Sequence, residues 1–188
     1  MNKLSIRQIF QGFFVFLAAV LLTACAPQGI STLVGGDYDA DQNATEYFIM
    51  PYGKTALPGK WEKSGYNQVS RQQFFRNQDS IEVAVAFGRY DYYEFNKDGF
   101  LKGFDFIQAF YEWDSKYFED QGLNRLLIEE DRDNNYIIYR IFGPKANTYF
   151  LITEKNGNIG SFSVNSTDKW TETEKLEFLK NLFKEFNK

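Results

Sequence analysis

The chain contains no histidine. That absence excludes Ser-His-Asp and Cys-His catalysis, together with zinc or haem held by imidazole. There is one cysteine in 188 residues, so no disulfide can close within the chain. A clustered basic surface is missing as well. Lys and Arg number 21 against 25 Asp and Glu, for a formal net charge of −4, and no run of them could neutralise a line of phosphates. Nucleic-acid binding is therefore not expected. Carboxylates, Lys, Tyr, Ser and Thr remain for chemistry. A hydrolase built on paired carboxylates is the enzyme class still formally open, and the expectation is a non-enzymatic protein without a metal site.

What is present begins with the setting of the single thiol. The segment MNKLSIRQIFQGFFVFLAAVLLTAC has a basic start at Lys3 and Arg7. An apolar stretch from Ile9 to Leu22 follows, interrupted at Gln11 and Gly12. This is the pattern of a secretory signal, and it is shorter than the roughly 20 apolar residues of a spanning helix. Leu22-Thr23-Ala24-Cys25 then resembles a bacterial lipobox. The resemblance implies cleavage before Cys25, diacylglycerol on its sulfur and an acyl group on its new N-terminus, with no other cofactor. Ala26 stands where Asp often retains lipoproteins in the inner membrane. That implies an envelope protein at the outer membrane, facing the periplasm. Removing Lys3 and Arg7 leaves the mature chain more acidic, so the acyl chains, and not charge, would hold it to the bilayer.

The predicted organisation is a signal over residues 1–24, a lipidated Cys25 with a flexible tether to residue 45, and a single domain from 46 to 188. The tether reading rests on Gly, Asp, Asn and Gln without periodicity. Asp37-x-Asp39-x-Asp41 matches the start of a calcium loop. It then fails at Gln42, where the turn needs Gly, and at Phe48, where a bidentate Glu belongs. Residues 47–61 hold two prolines and two glycines, which predicts an irregular lead-in with one short edge strand.

Beyond residue 61 the periods become legible. Residues 68–76 and 81–87 flank the turn-like Asn77-Gln78-Asp79-Ser80, and Ile81, Val83, Val85 and Phe87 alternate as a strand requires. Residues 106–121 change to helical spacing. Phe106, Phe110, Trp113 and Tyr117 share a face, Asp105 is placed to cap the start, and Gly122 to end it. Two hairpins follow. A turn at Asp133-Asn134 would pair Ile128 with Tyr139 and Leu126 with Ile141, leaving Glu129 and Asp131 on the other face near Arg140. Asn156-Gly157 would pair Leu151 with Phe162 and Tyr149 with Val164. The chain closes with an amphipathic helix that Thr171-x-x-Glu174 would cap. Its buried stripe would be Leu176, Leu179, Leu182, Phe183 and Phe186.

This order predicts an α+β domain, an antiparallel sheet flanked by helices. The lead-in Leu57-Pro58-Gly59-Lys60-Trp61, the hairpin, the mid-chain helix, the meander and the terminal helix together resemble the PsbP-like family over residues 45–187. That resemblance implies a three-layer α/β/α sandwich used as an accessory or partner-binding module, and it carries no catalytic residue. A cystatin-like α+β domain is the alternative arrangement.

Aromatic residues make up 19% of the chain, with 20 Phe and 12 Tyr. Most are expected to fill the core. Residues 88–103 stand apart: Tyr90, Tyr92, Tyr93 and Phe95 are interleaved with Arg89, Asp91 and Asn96 in a long connection between strand and helix. Long connections of this composition are common at recognition surfaces. These four aromatics are the candidate partner- or ligand-binding residues. Glu129 and Asp131, in the densest acidic run, are the candidates for hydrolytic chemistry. The functional expectation is a lipid-anchored accessory module that docks another envelope protein. The alternative is a binder of small ligands or glycans through an aromatic surface.

Overall fold

The turn Asn156-Gly157 has both residues at positive φ, 54° and 83°, the geometry that matches the right-handed twist of flanking strands. It joins β10 (Ala146–Lys155) to β11 (Asn158–Val164), with Leu151 opposite Phe162 and Tyr149 opposite Val164. The predicted register is found unchanged. Around this hairpin, in a computed structural model that describes residues 31–188, stands a seven-stranded antiparallel sheet. Its order is β5 (Glu62–Asn67), β6 (Gln72–Arg76), β7 (Glu82–Arg89), β11, β10, β9 (Tyr136–Gly143) and β8 (Asn124–Asp131). Residues 1–24 and Cys25 lie outside the described residues.

The stretch ahead of Trp61 holds more structure than its composition predicts. β3 (Ala44–Met50) and β4 (Gly53–Pro58) form a hairpin, and β1 (Leu33–Gly35) and β2 (Tyr38–Asp39) pair successively with the other edge of β3. Residues 33–39, read from sequence as tether, are thus strand-paired. Strands this short carry too little periodicity to be seen before their partner is known. The Asp39 carboxylate accepts the backbone N–H of Asp41 and Gln42, at 2.8 and 3.2 Å, and so closes the β2–β3 turn.

Alternation along each strand sorts the large sheet into two apolar faces. One face carries Phe75, Val83, Val85, Phe87, Ile138, Leu151 and Phe162. The β3–β4 hairpin and the C-terminal helix α2 (Glu172–Phe186) cover it. Phe87 stacks on Phe186 with ring centroids 5.6 Å apart and on Tyr47 at 5.9 Å, so three elements share one aromatic column. Leu179 and Leu182 of α2 are fully buried, each contributing roughly 1.5–3 kcal/mol by transfer from water. The predicted capping box is present: Glu174 N–H donates to Thr171 Oγ1 at 3.3 Å and Thr171 N–H to Glu174 Oε2 at 2.7 Å. Phe178 and Lys175 join Leu179, Leu182 and Phe186 in the buried stripe, whereas the predicted Leu176 and Phe183 are only partly buried. Lys175 is accommodated because its ammonium donates to the Thr167 carbonyl at 2.8 Å and lies over the Tyr149 ring.

The opposite face carries Ile137, Tyr139, Ile141, Phe150, Ile152 and Ile159 beneath α1 (Gly103–Asp120). The helix begins three residues before the predicted start, and Asp105 sits in its first turn without capping it. The Glu154 carboxylate takes the Gly103 N–H instead, at 2.8 Å, from the end of β10. Gly122, at φ 80°, ends the helix as predicted, with backbone bonds from Gly122 N to Glu119 O and Leu123 N to Phe118 O. The buried stripe is Phe106, Ile107, Phe110, Tyr111 and Ser115, whereas Trp113 and Tyr117 are 42% and 61% exposed. The result is an antiparallel α+β fold with helices on both faces of the sheet. Among the described residues no helix is long and apolar enough to cross a membrane.

The β8–β9 hairpin departs from its predicted pairing. Asp131 faces Tyr136 and Glu129 faces Ile138, but Leu127 then faces Tyr139 and Arg125 faces Ile141. Ile128 is the extra residue of a bulge, which turns two successive side chains to one side. Ile128 packs into the α2-side core, and Glu129 beside it meets Lys180 of α2 at 2.8 Å. Arg140, expected near the acidic run, donates instead to Asn147 at 2.7 Å and lies over Phe142 and Tyr149.

Candidate functional site

On the α1 side of the sheet, β7 and β11 present a strip of small residues, Ala84, Ala86 and Gly88 on one strand and Ser161 and Ser163 on the other, while Ile159 of β11 packs into the α1-side core. Their bulky neighbours Val83, Val85, Phe162 and Val164 all face α2. α1 lies across β8, β9 and β10 and does not reach over this strip. A depression follows from those two facts. It is a cleft of about 300 Å³ floored by Ala86, Gly88 and Ser161.

Three elements wall it. α1 supplies Phe110, Trp113 and Asp114. The β5–β6 turn supplies Val69 and Arg71. The connection after β7 supplies Tyr92, Tyr93 and Glu94, while Tyr139 and Phe150 line the side nearest the sheet centre. The connection is tightly organised. It contains two 3-10 turns, Tyr90–Tyr92 and Glu94–Asn96. The buried amide of Asn96 donates to the carbonyls of Tyr90 and Leu101 at 3.2 and 3.0 Å, and accepts the Leu101 N–H at 2.9 Å.

The four aromatics singled out from the sequence divide into two kinds. Tyr90 and Phe95 pack into the α1-side core, Phe95 stacking on Phe106 at 5.5 Å and Tyr90 edge-on to the same ring at 6.3 Å. Tyr92 and Tyr93 line the cleft, Tyr93 while also packing against the α1-side core. Tyr93 sits edge-on to Phe110 at 5.1 Å and to Trp113 at 5.7 Å. Tyr92 shares a 2.9 Å hydroxyl contact with Tyr52 and carries the Arg71 guanidinium 4.4 Å above its ring.

Asp114 was not legible as a site residue. Yet helical spacing sets it one turn after Phe110, an acid inside the apolar face of residues 106–121. Tertiary packing gives it a hydroxyl donor, Tyr139, whose O–H reaches Asp114 Oδ2 at 2.5 Å. Burial pushes the carboxyl up to about 6, against the opposing pull of that hydrogen bond. Burial, with the nearby Asp114 charge, raises the Tyr93 and Tyr139 phenols above their ordinary range, so both stay neutral donors. The signal that could have located the cleft was the alternation itself. Val-Ala-Val-Ala-Phe-Gly over 83–88 and Ser-Phe-Ser-Val over 161–164 place a small-residue face behind each apolar one.

The acidic run stands elsewhere. Glu129 accepts from Tyr136 and pairs with Lys180, Asp131 accepts from Asn134 at 2.8 and 2.9 Å, and Glu130 pairs with Arg132. Lys180 and Tyr136 hold the Glu129 carboxyl below its ordinary range despite its burial. None of these carboxylates lines the cleft. Among the described residues, no three His, Cys, Asp or Glu side chains gather into a set able to hold a metal ion.

No protein-family model and no curated protein matches the chain. Among solved structures it is similar to the solution structure of cyanobacterial PsbP (CyanoP) from Synechocystis sp. PCC 6803. The identity is 14%, the match covers 86% of this chain and 95% of that chain, and the TM-score is 0.44. At that level no cleft residue can be carried from one chain to the other.

Proposed function

We propose that this chain is a lipid-anchored, non-catalytic binding module of the bacterial envelope. Acyl chains on Cys25 hold it at the outer membrane, and the aromatic cleft receives a small ligand or a glycan unit. The observation that carries the reading is convergence. Tyr92 and Tyr93 from the connection, Trp113 from α1 and Arg71 from the β5–β6 turn meet around one concavity with a carboxylate in its wall. Concave, largely aromatic sites with a few placed polar groups are the usual form of small-molecule recognition.

A thermal-shift screen of the full chain against envelope glycans, lipid headgroups and small polar metabolites tests this. A ligand at about 100 times its Kd should stabilise the fold by about 2.7 kcal/mol, and the rise should vanish in the Tyr92→Ala, Trp113→Ala double variant. A screen without any rise, or a rise that survives both substitutions, sinks the cleft assignment. One observation favours docking of another envelope protein at the same mouth: Val69 on the bordering turn is 94% exposed. In-cell cross-linking that captures one dominant partner through residues 69–72 would select that reading.

A further inference from the structure

We propose that the cleft is selective for an organic cation, an aliphatic ammonium group seated against Asp114 and the rings of Tyr93 and Trp113. The inference rests on the binding-module reading above and names its ligand class.

Charge complementarity is the first support. Asp114 Oδ2 accepts from Tyr139, and Oδ1 takes no protein donor. Among the described residues no buried side-chain oxygen lacking a partner is sealed from solvent, so Oδ1 keeps solvent contact on a residue that lines the cleft. None of the ion pairs among the described residues includes Asp114 or Glu94, the two carboxylates on the lining. The lining cation, Arg71, is placed over Tyr92 and, among the described residues, forms no ion pair with either of them. A partly buried carboxylate with one oxygen free is costly unless something positive meets it.

The walls supply the second support. Aromatic faces attract a cation through their quadrupole, more strongly where the site is desolvated. Tyr93 and Trp113 stand at 77° to one another, so an entering group meets the two rings in different orientations. The floor of Ala86, Gly88 and Ser161 leaves room beneath them. An anionic ligand would have to approach two carboxylates, and a neutral one would leave Asp114 Oδ1 without a counter-charge.

The probes are choline and n-propylammonium, with 3,3-dimethyl-1-butanol as the neutral isostere of choline. Titrations use the full chain in a non-ionic polyoxyethylene detergent, followed by calorimetry and by tryptophan fluorescence. Trp113 is the cleft tryptophan, while Trp61 and Trp170 pack together on the α2 side, so Trp113→Phe should remove the optical signal. The ammonium probes should bind at least tenfold tighter than the alcohol, and Asp114→Asn should erase that preference while the folded spectrum is retained. Affinity for choline should rise about tenfold from pH 5 to pH 7.5 as Asp114 loses its proton. Tyr139, Tyr93, Tyr92, Glu94 and Arg71 are the other titratable groups facing it.

Equal binding of alcohol and ammonium, unchanged by Asp114→Asn, overturns the cation inference and leaves the cleft reading standing. Binding by none of the three probes overturns the inference. If the wider screen is also silent, the cleft reading falls with it.

Discussion

Asp114 shows how little a single position reveals before its neighbours are known. Spacing puts this carboxylate one turn after Phe110, inside an apolar helix face, but only its folded surroundings move its pKa up to about 6. The folded state therefore binds the proton more tightly than the unfolded chain, whose Asp titrates near 3.9. Stability contributed at this site is full below about pH 4, falls as pH rises through 6, and stays at its lowest above that. Asp114→Asn keeps an acceptor for the Tyr139 hydroxyl and removes the buried charge. It should raise stability at pH 7.5 by about 1–2 kcal/mol, with the gain vanishing near pH 4. Urea titrations at the two pH values check this, and a gain independent of pH would refute the assigned cause. At the same scale Asn156 and Gly157 were fully legible, because their left-handed backbone is a local property of residue type.

Elements were legible in proportion to their length and amphipathicity. α2 combines a local signal, the Thr171 and Glu174 box, with a tertiary one, the stacking of Phe186 on Phe87. The two should separate by magnitude. Thr171→Ala removes one exposed cap and should cost about 1 kcal/mol, while Phe186→Ala opens a cavity in a three-layer column and should cost about 3–5 kcal/mol. Chemical denaturation of both variants measures the difference. A larger loss at Thr171 would mean that local capping, and not packing, holds the helix. The β8 bulge lies beyond such reasoning. Uninterrupted alternation is satisfied equally by the straight register, and only the need to place Ile128 in the core with Glu129 against Lys180 selects the bulged one. β1 and β2 were missed for a related reason, since strands of three and two residues have no period of their own.

At the scale of the whole molecule, the proposed anchor and the cleft have separate tests. In the proposed function the thiol of Cys25 carries the lipid, so Cys25→Ser should abolish acyl labelling and release the chain from the membrane fraction. The thermal unfolding midpoint of the domain should stay within about 1 °C, because every buried residue of the described core falls between Thr45 and Phe186. Fractionation and metabolic labelling with a fatty-acid probe decide it. A variant still labelled and still sedimenting would remove the lipid anchor from the proposal.

The amino-acid order by itself determined the antiparallel α+β class, the β10–β11 register, the capped terminal helix and the excluded chemistries. Each of these depends on residue type or on spacing within about a dozen positions. Tertiary structure alone decided which of the clustered aromatics turn inward and which line a surface. Tyr90, Tyr92 and Tyr93 are the same side chain within four positions, yet Tyr90 and Tyr93 pack against the α1-side core while Tyr92 stays exposed. They part company because α1 lies over β8 to β10 and leaves the small residues of β7 and β11 uncovered. The same offset sets Asp114 beside Tyr139, 25 residues away, where burial changes its acidity. A carboxylate acquires that character from the dielectric and donors around it, and those are properties of the folded molecule.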